Sequence, residues 1–147
     1  MDTHPLNYQQ VNPELMEQVR ATTVKNCISN ALLKRGSYNV RRIETPDEQP
    51  GSLHLALTSK TVFHRKVPSV EQQAKMWEAT LTSLGIVNPE MVPTEQGVIF
   101  LPKTVAAISQ WLQWQAADDV EHPAASVVAF GVAFSNAAAA SKGRGAA

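Results

Sequence analysis

The side chains able to carry acid–base, metal or thiolate chemistry are few. The chain has four histidines (His4, His54, His64 and His122) and a single cysteine, Cys27. The histidines do not fall at the short intervals that bring ligands onto one metal, and no cysteine pair joins them. No metal site is therefore expected. The chain has no Gly-x-Ser-x-Gly nucleophile turn, no phosphate-binding glycine loop, no Gly-x-Gly-x-x-Gly and no His-Glu-x-x-His. No catalytic residue and no cofactor are assigned. Cys27 falls on the apolar stripe of a helical segment, which predicts a buried, inert thiol.

Charge offers a different chemistry. From Arg20 to Lys66 nine basic residues stand against three acidic ones, Glu44, Asp47 and Glu48. From Met76 to Ser141 only Lys103 opposes six carboxylates, although the whole chain has zero formal net charge. If folding keeps the halves apart, one face is basic. Arg35, Arg41, Arg42, Lys60, Arg65 and Lys66 are then the candidates for binding nucleic acid or an acidic partner. The other reading is that these charges pair across the surface.

A third kind of chemistry is association. The segment 123–141 carries no charge. Ala125, Ala129, Ala133 and Ala137 recur every four residues, a row of small side chains on a helix. Phe130 and Phe134 lie beside it, as do Val128 and Val132. A small-residue row lets another backbone approach closely. Ala125, Ala129, Ala133, Phe130 and Phe134 are the candidate self-association residues. Burial of the same helix in the chain's own core is the alternative. Membrane spanning is not expected, because alanine adds little hydrophobicity and Ser126, Ser135 and Asn136 dilute the rest.

These side chains must be held by regular elements. Asn12-Pro13-Glu14 is a helix start, and Lys34-Arg35-Gly36 a stop, giving a helix over about 13–35. Met16, Val19, Val24, Cys27, Ile28 and Ala31 form its stripe, with Arg20 pointing into it. Residues 38–43 read as a strand. Leu53, Leu55 and Leu57 alternate as a half-buried strand, and 61–66 is the expected hairpin partner, with Leu57 opposite Val62. Ser69 with Gln72 matches a capping box, opening a helix over about 70–84 that faces inward with Val70, Ala74, Trp77, Leu81 and Leu84. Gly85 allows a left-handed cap, with Ile86 folding back on Leu81. Met91-Val92 and Val98–Leu101 predict a short hairpin. A helix over about 104–118 has Val105, Ile108, Leu112 and Ala116 as its core stripe. Trp111 and Trp114 flank it as core residues or, for one of the two, as an interface or base-stacking residue.

A chain of 147 residues suggests one domain and buries about 70% of its unfolded surface without staples. The expected organisation is an extended arm over 1–12, an α+β domain over 13–122, the alanine-rich helix over 123–141 and a basic tail over 142–147. The fold class is α+β: a small antiparallel sheet packed by about four helices, in the order α-β-β(-β)-α-β-β-α-α. The α-β-β-β-α order over 13–85 is also that of double-stranded-RNA-binding domains. Their lysine cluster at the start of the second helix is replaced here by Glu71-Gln72-Gln73-Ala74-Lys75, so membership is not assigned. One cysteine and the lack of a basic, apolar leader at Met1–Pro5 predict a cytoplasmic protein, or one inside a virion or other assembly. The expected function is a non-enzymatic interaction or assembly protein, an oligomer or virion-type component that uses the alanine-rich helix and terminal arms. A nucleic-acid-binding protein using residues 20–66 is the second reading, and an enzyme with an unrecognised site the third.

Overall fold

The computed structural model describes residues 12–44, 49–60, 66–121 and 125–146, without the side chains of 117–121 and 142–146. Eight elements follow in order: α1 (Pro13–Lys34), β1 (Tyr38–Arg42), β2 (Leu53–Ser59), α2 (Val70–Ser83), β3 (Met91–Pro93), β4 (Val98–Phe100), α3 (Pro102–Glu121) and α4 (Ala125–Ala146). The strands form one antiparallel sheet in the order β1-β2-β4-β3. The α+β class and the element order agree with the sequence reading, with two strands described between the first two helices.

Local signals set the helix ends. The Asn12 side chain accepts the Glu14 N–H at 2.8 Å, satisfying one of the orphan donors of the first turn of α1. Ser69 accepts the Gln72 N–H at 3.2 Å, but Gln72 does not complete the box. Its amide instead donates to Ser141 on α4 at 2.9 Å. Gly85 has φ +91°, a left-handed value that strains any residue with a Cβ. With the Gly85 N–H on Thr82 and the Ile86 N–H on Leu81, this is the Schellman closure of α2, and Ile86 is buried.

Two strands flank β2. Leu57 lies opposite Val40 of β1, and β4 takes the other side through Leu53–Phe100 and Leu55–Val98; Val62, the expected partner of Leu57, lies outside the described residues. The expected partner segment lies outside the described residues except for Lys66, which is in no strand. The 91–101 hairpin forms as expected. Its Gly97 is packed so closely on β2 that a Cβ there would meet the Leu55 carbonyl oxygen and lie 3.1 Å from the Ala56 Cα.

Alternation along β2 turns Leu53, Leu55 and Leu57 toward the helices and His54 and Ala56 to the other face. All five are buried. The core is centred on Trp77 of α2, whose ring lies 5.4 Å from Phe100, 6.5 Å from Phe130 and 4.9 Å from Phe134. Phe130 also meets Trp111, at 6.4 Å. Strand β4, helix α2 and both C-terminal helices therefore share one aromatic cluster, with edge or tilted ring geometries that favour such pairs.

Two stripes are displaced from the sequence reading. In α1 the buried residues are Ala21, Val24, Cys27, Ile28, Ala31 and Leu32, whereas Met16, Val19 and Arg20 are exposed. The first two turns project beyond the core, so Arg20 has no apolar stripe to interrupt. In α3, Val105 and Ile108 are buried as expected, but in the next turn Trp111 is the buried residue, Leu112 is half-buried against the core, and Ala116 further on is exposed.

Candidate functional site

The five basic candidates that lie among the described residues do not all share one face. Neighbouring strand residues point to opposite faces, and Arg41 and Arg42 are neighbours on β1. Arg41 is exposed and lies opposite Ala56, on the His54 face. Arg42 lies opposite Leu55, on the helix-covered face, where its Nε is buried without a hydrogen-bond partner. Lys60 closes the end of α1: its Nζ donates to the Leu33 carbonyl at 3.0 Å and to that of Arg35 at 3.4 Å. A cation at these orphan carbonyls is placed at the negative end of the helix dipole. Arg35 runs its stem along α4, where a Cβ on Gly131 would lie 2.9 Å from its Cδ and 3.3 Å from the Ala31 carbonyl oxygen. Lys66 is exposed, and Arg65 lies outside the described residues.

His54 is a structural residue. Its Nε2 lies 2.8 Å from Thr94 Oγ1. That hydroxyl also accepts the N–H groups of Gln96 and Gly97, at 3.2 and 3.0 Å. Two backbone donors occupy the oxygen's lone pairs, and its one hydrogen has two acceptors in reach, the Gly97 carbonyl at 3.1 Å and an unprotonated His54 Nε2. Burial pushes the His54 pKa below its ordinary value of 6.5, with the Arg41 charge acting in the same direction. The other three histidines lie outside the described residues, and among the described residues no three His, Cys, Asp or Glu side chains group as a metal site. Cys27 is buried, as expected.

The alanine-rich helix is spent largely within its own chain. α4 packs on α1, α2 and α3. Phe130 and Phe134 are buried against Trp77, and Ala133 and Ala137 are buried beside them; Ala125 and Ala129 are half-buried. The two phenylalanines named for self-association are thus core residues. What α4 turns outward is Val128, Val132 and Asn136, at intervals of four. Among the described residues no helix is long and apolar enough to cross a membrane.

The chain matches no family model, no curated protein and no solved structure.

One residue that the sequence left undecided stands out from the others. Trp111 is 7% exposed and Trp114, one turn on, is 72% exposed. The nine residues from Val105 to Trp114 advance the helix by about 900°, two and a half turns, which puts Trp114 on the side opposite that first core residue. Leu15, Met16 and Val19 are exposed on α1, and Val128 and Val132 on α4. Their three parent helices pack on one another. The signal that finds Trp114 is spacing: a series of residues three apart drifts by about 60° at each step, so it leaves the core face after a few steps.

Proposed function

We propose that this chain is a non-enzymatic interaction protein that assembles with further copies of itself through its helical side, working in the cytoplasm or inside an assembly. The observation that carries the reading is Trp114, a large aromatic surface held in water on a rigid helix. Tryptophan is enriched among the residues that dominate binding energy, because it buries much area at little entropic cost. The exposed valines of α4 and the apolar residues of the first turns of α1 supply surface on the helices next to it.

Support for the nucleic-acid reading is thinner. Phosphate contacts need cations on one surface, and here Arg41 and Arg42 diverge while Lys60 is occupied at a helix end.

Size-exclusion chromatography with light scattering tests the proposal, with absorbance followed at 260 and 280 nm. The expected result is a multimer free of nucleic acid that Trp114→Ser returns to monomer with an unchanged circular-dichroism spectrum. Removing α4 is not a usable test of association, because it takes Phe130 and Phe134 out of the core. A wild-type monomer at every concentration would overturn the proposal. A multimer indifferent to Trp114→Ser would overturn the role given to that face.

A further inference from the structure

A cleft of about 220 Å³ opens where the start of β1, the beginning of α2 and the second half of α4 meet. Its lining includes Tyr38, Phe134 and Met76, and its polar residues include Gln72, Ser135 and Ser141. Among the described residues no charged side chain lines it. A second cleft, of about 340 Å³, adjoins it and does contain charges, those of Glu71 and Lys75. The two share Gln72, Met76 and Ser141. The Gln72 Nε2 to Ser141 Oγ bond of 2.9 Å thus stands at their common border.

From this arrangement we infer that the smaller cleft is a binding site for an uncharged single-ring molecule with one hydroxyl group, the phenol class. Three features select that class. Volume is the first: an apolar cavity of about 150 Å³ holds benzene, so this space is large enough for one ring and a substituent. The lining is the second, since it includes two aromatic residues, Tyr38 and Phe134, and a methionine, residue types favourable to an aromatic guest. The polar groups are the third. Ser141 accepts the Gln72 amide, which leaves its own hydroxyl hydrogen to donate, and Ser135 lies one helical turn and a half away on the same wall. Hydroxyls can donate to and accept from a guest hydroxyl but cannot compensate a buried carboxylate or ammonium. The site is remote in kind from the Trp114 surface and does not depend on it.

The test uses the full chain, ¹⁵N-labelled, titrated with p-cresol, toluene and benzoate and followed by amide chemical shifts. Saturable shifts centred on Ser37, Tyr38, Met76 and Ser135 are expected with p-cresol. Weaker ones are expected with toluene, which lacks the hydroxyl, and none with benzoate. Ala138→Leu, which extends a lining residue of this cleft, should weaken p-cresol binding about tenfold or more. Shifts that fail to saturate, that map elsewhere, or that are as large with benzoate would overturn the inference. So would a folded Ala138→Leu protein that binds p-cresol as the wild type does. Should that variant not fold, the wild-type shift map decides alone.

Discussion

His54 Nε2 and Thr94 Oγ1, forty positions apart, lie 2.8 Å from each other and tie the middle of the sheet to the β3–β4 turn. The threonine hydroxyl holds that turn through the Gln96 and Gly97 amides, so one oxygen serves both a hairpin and a buried imidazole.

Acid should loosen this joint. The folded pKa of His54 is below 6.5, so above 6.5 the imidazole is neutral in both states and contributes no pH dependence. As pH falls through 6.5 the unfolded chain takes up the proton first, and stability falls until the folded pKa is passed. Urea midpoints between pH 7.5 and 5 should decline, and His54→Gln should flatten that decline. An equal slope in the variant would remove His54 as the cause.

Trp77 is completely buried, and Phe134 is its nearest ring partner. Phe134→Ala should destabilise the fold by about 3–5 kcal/mol, the transfer term plus the cavity it leaves. The tryptophan emission of the folded variant should shift to the red as its buried indole gains solvent contact. A loss below about 1 kcal/mol would mean that α4 does not seat as described.

Gly97→Ala should be far worse than its one methyl group suggests. The added Cβ meets the Leu55 backbone, which cannot swing aside as a side-chain end can. The expected loss is about 3 kcal/mol, the upper part of the usual overpacking range. Chemical denaturation measures it, with Gly85→Ala as a comparison for strain without a clash, since no atom lies within 4 Å of a Cβ there.

Lys60→Met should lower stability by roughly 0.5–1 kcal/mol, because it removes a cation from the carbonyls that end α1. Added salt should shrink the difference. A substitution with no effect at low salt would free Lys60 for a partner.

Trp114→Ser should leave the urea midpoint of the monomer nearly unchanged, by about 0.5 kcal/mol at most, because the side chain is mostly in water. A larger loss would show that the indole supports the fold itself.

What the sequence disclosed follows the range of the forces involved. Helix ends were legible because Asn12, Ser69 and Gly85 act on amides and carbonyls within a few residues. Strand partners were not. The Leu53–Leu57 alternation says which residues face inward but not that β1 lies on one side of the strand and β4, from far along the chain, on the other. Met16 and Val19 keep helical period with Val24, yet period does not say where a helix leaves the core. The basic run does not show how its charges are distributed, because adjacent residues on a strand, such as Arg41 and Arg42, point to opposite faces. In α4 the alanine row and the phenylalanines were both visible, but an apolar helix does not reveal whether its cover comes from its own chain.

The seating of Phe130 and Phe134 around Trp77 has a consequence for biosynthesis. The indole emerges from the ribosome more than fifty residues before two of the three rings that pack on it. Through that interval Phe100 of β4 is its one aromatic partner, and the side that Phe130 and Phe134 cover stays open. Completion waits on α4, so chaperones that hold exposed apolar surface have their longest opportunity before this helix is made.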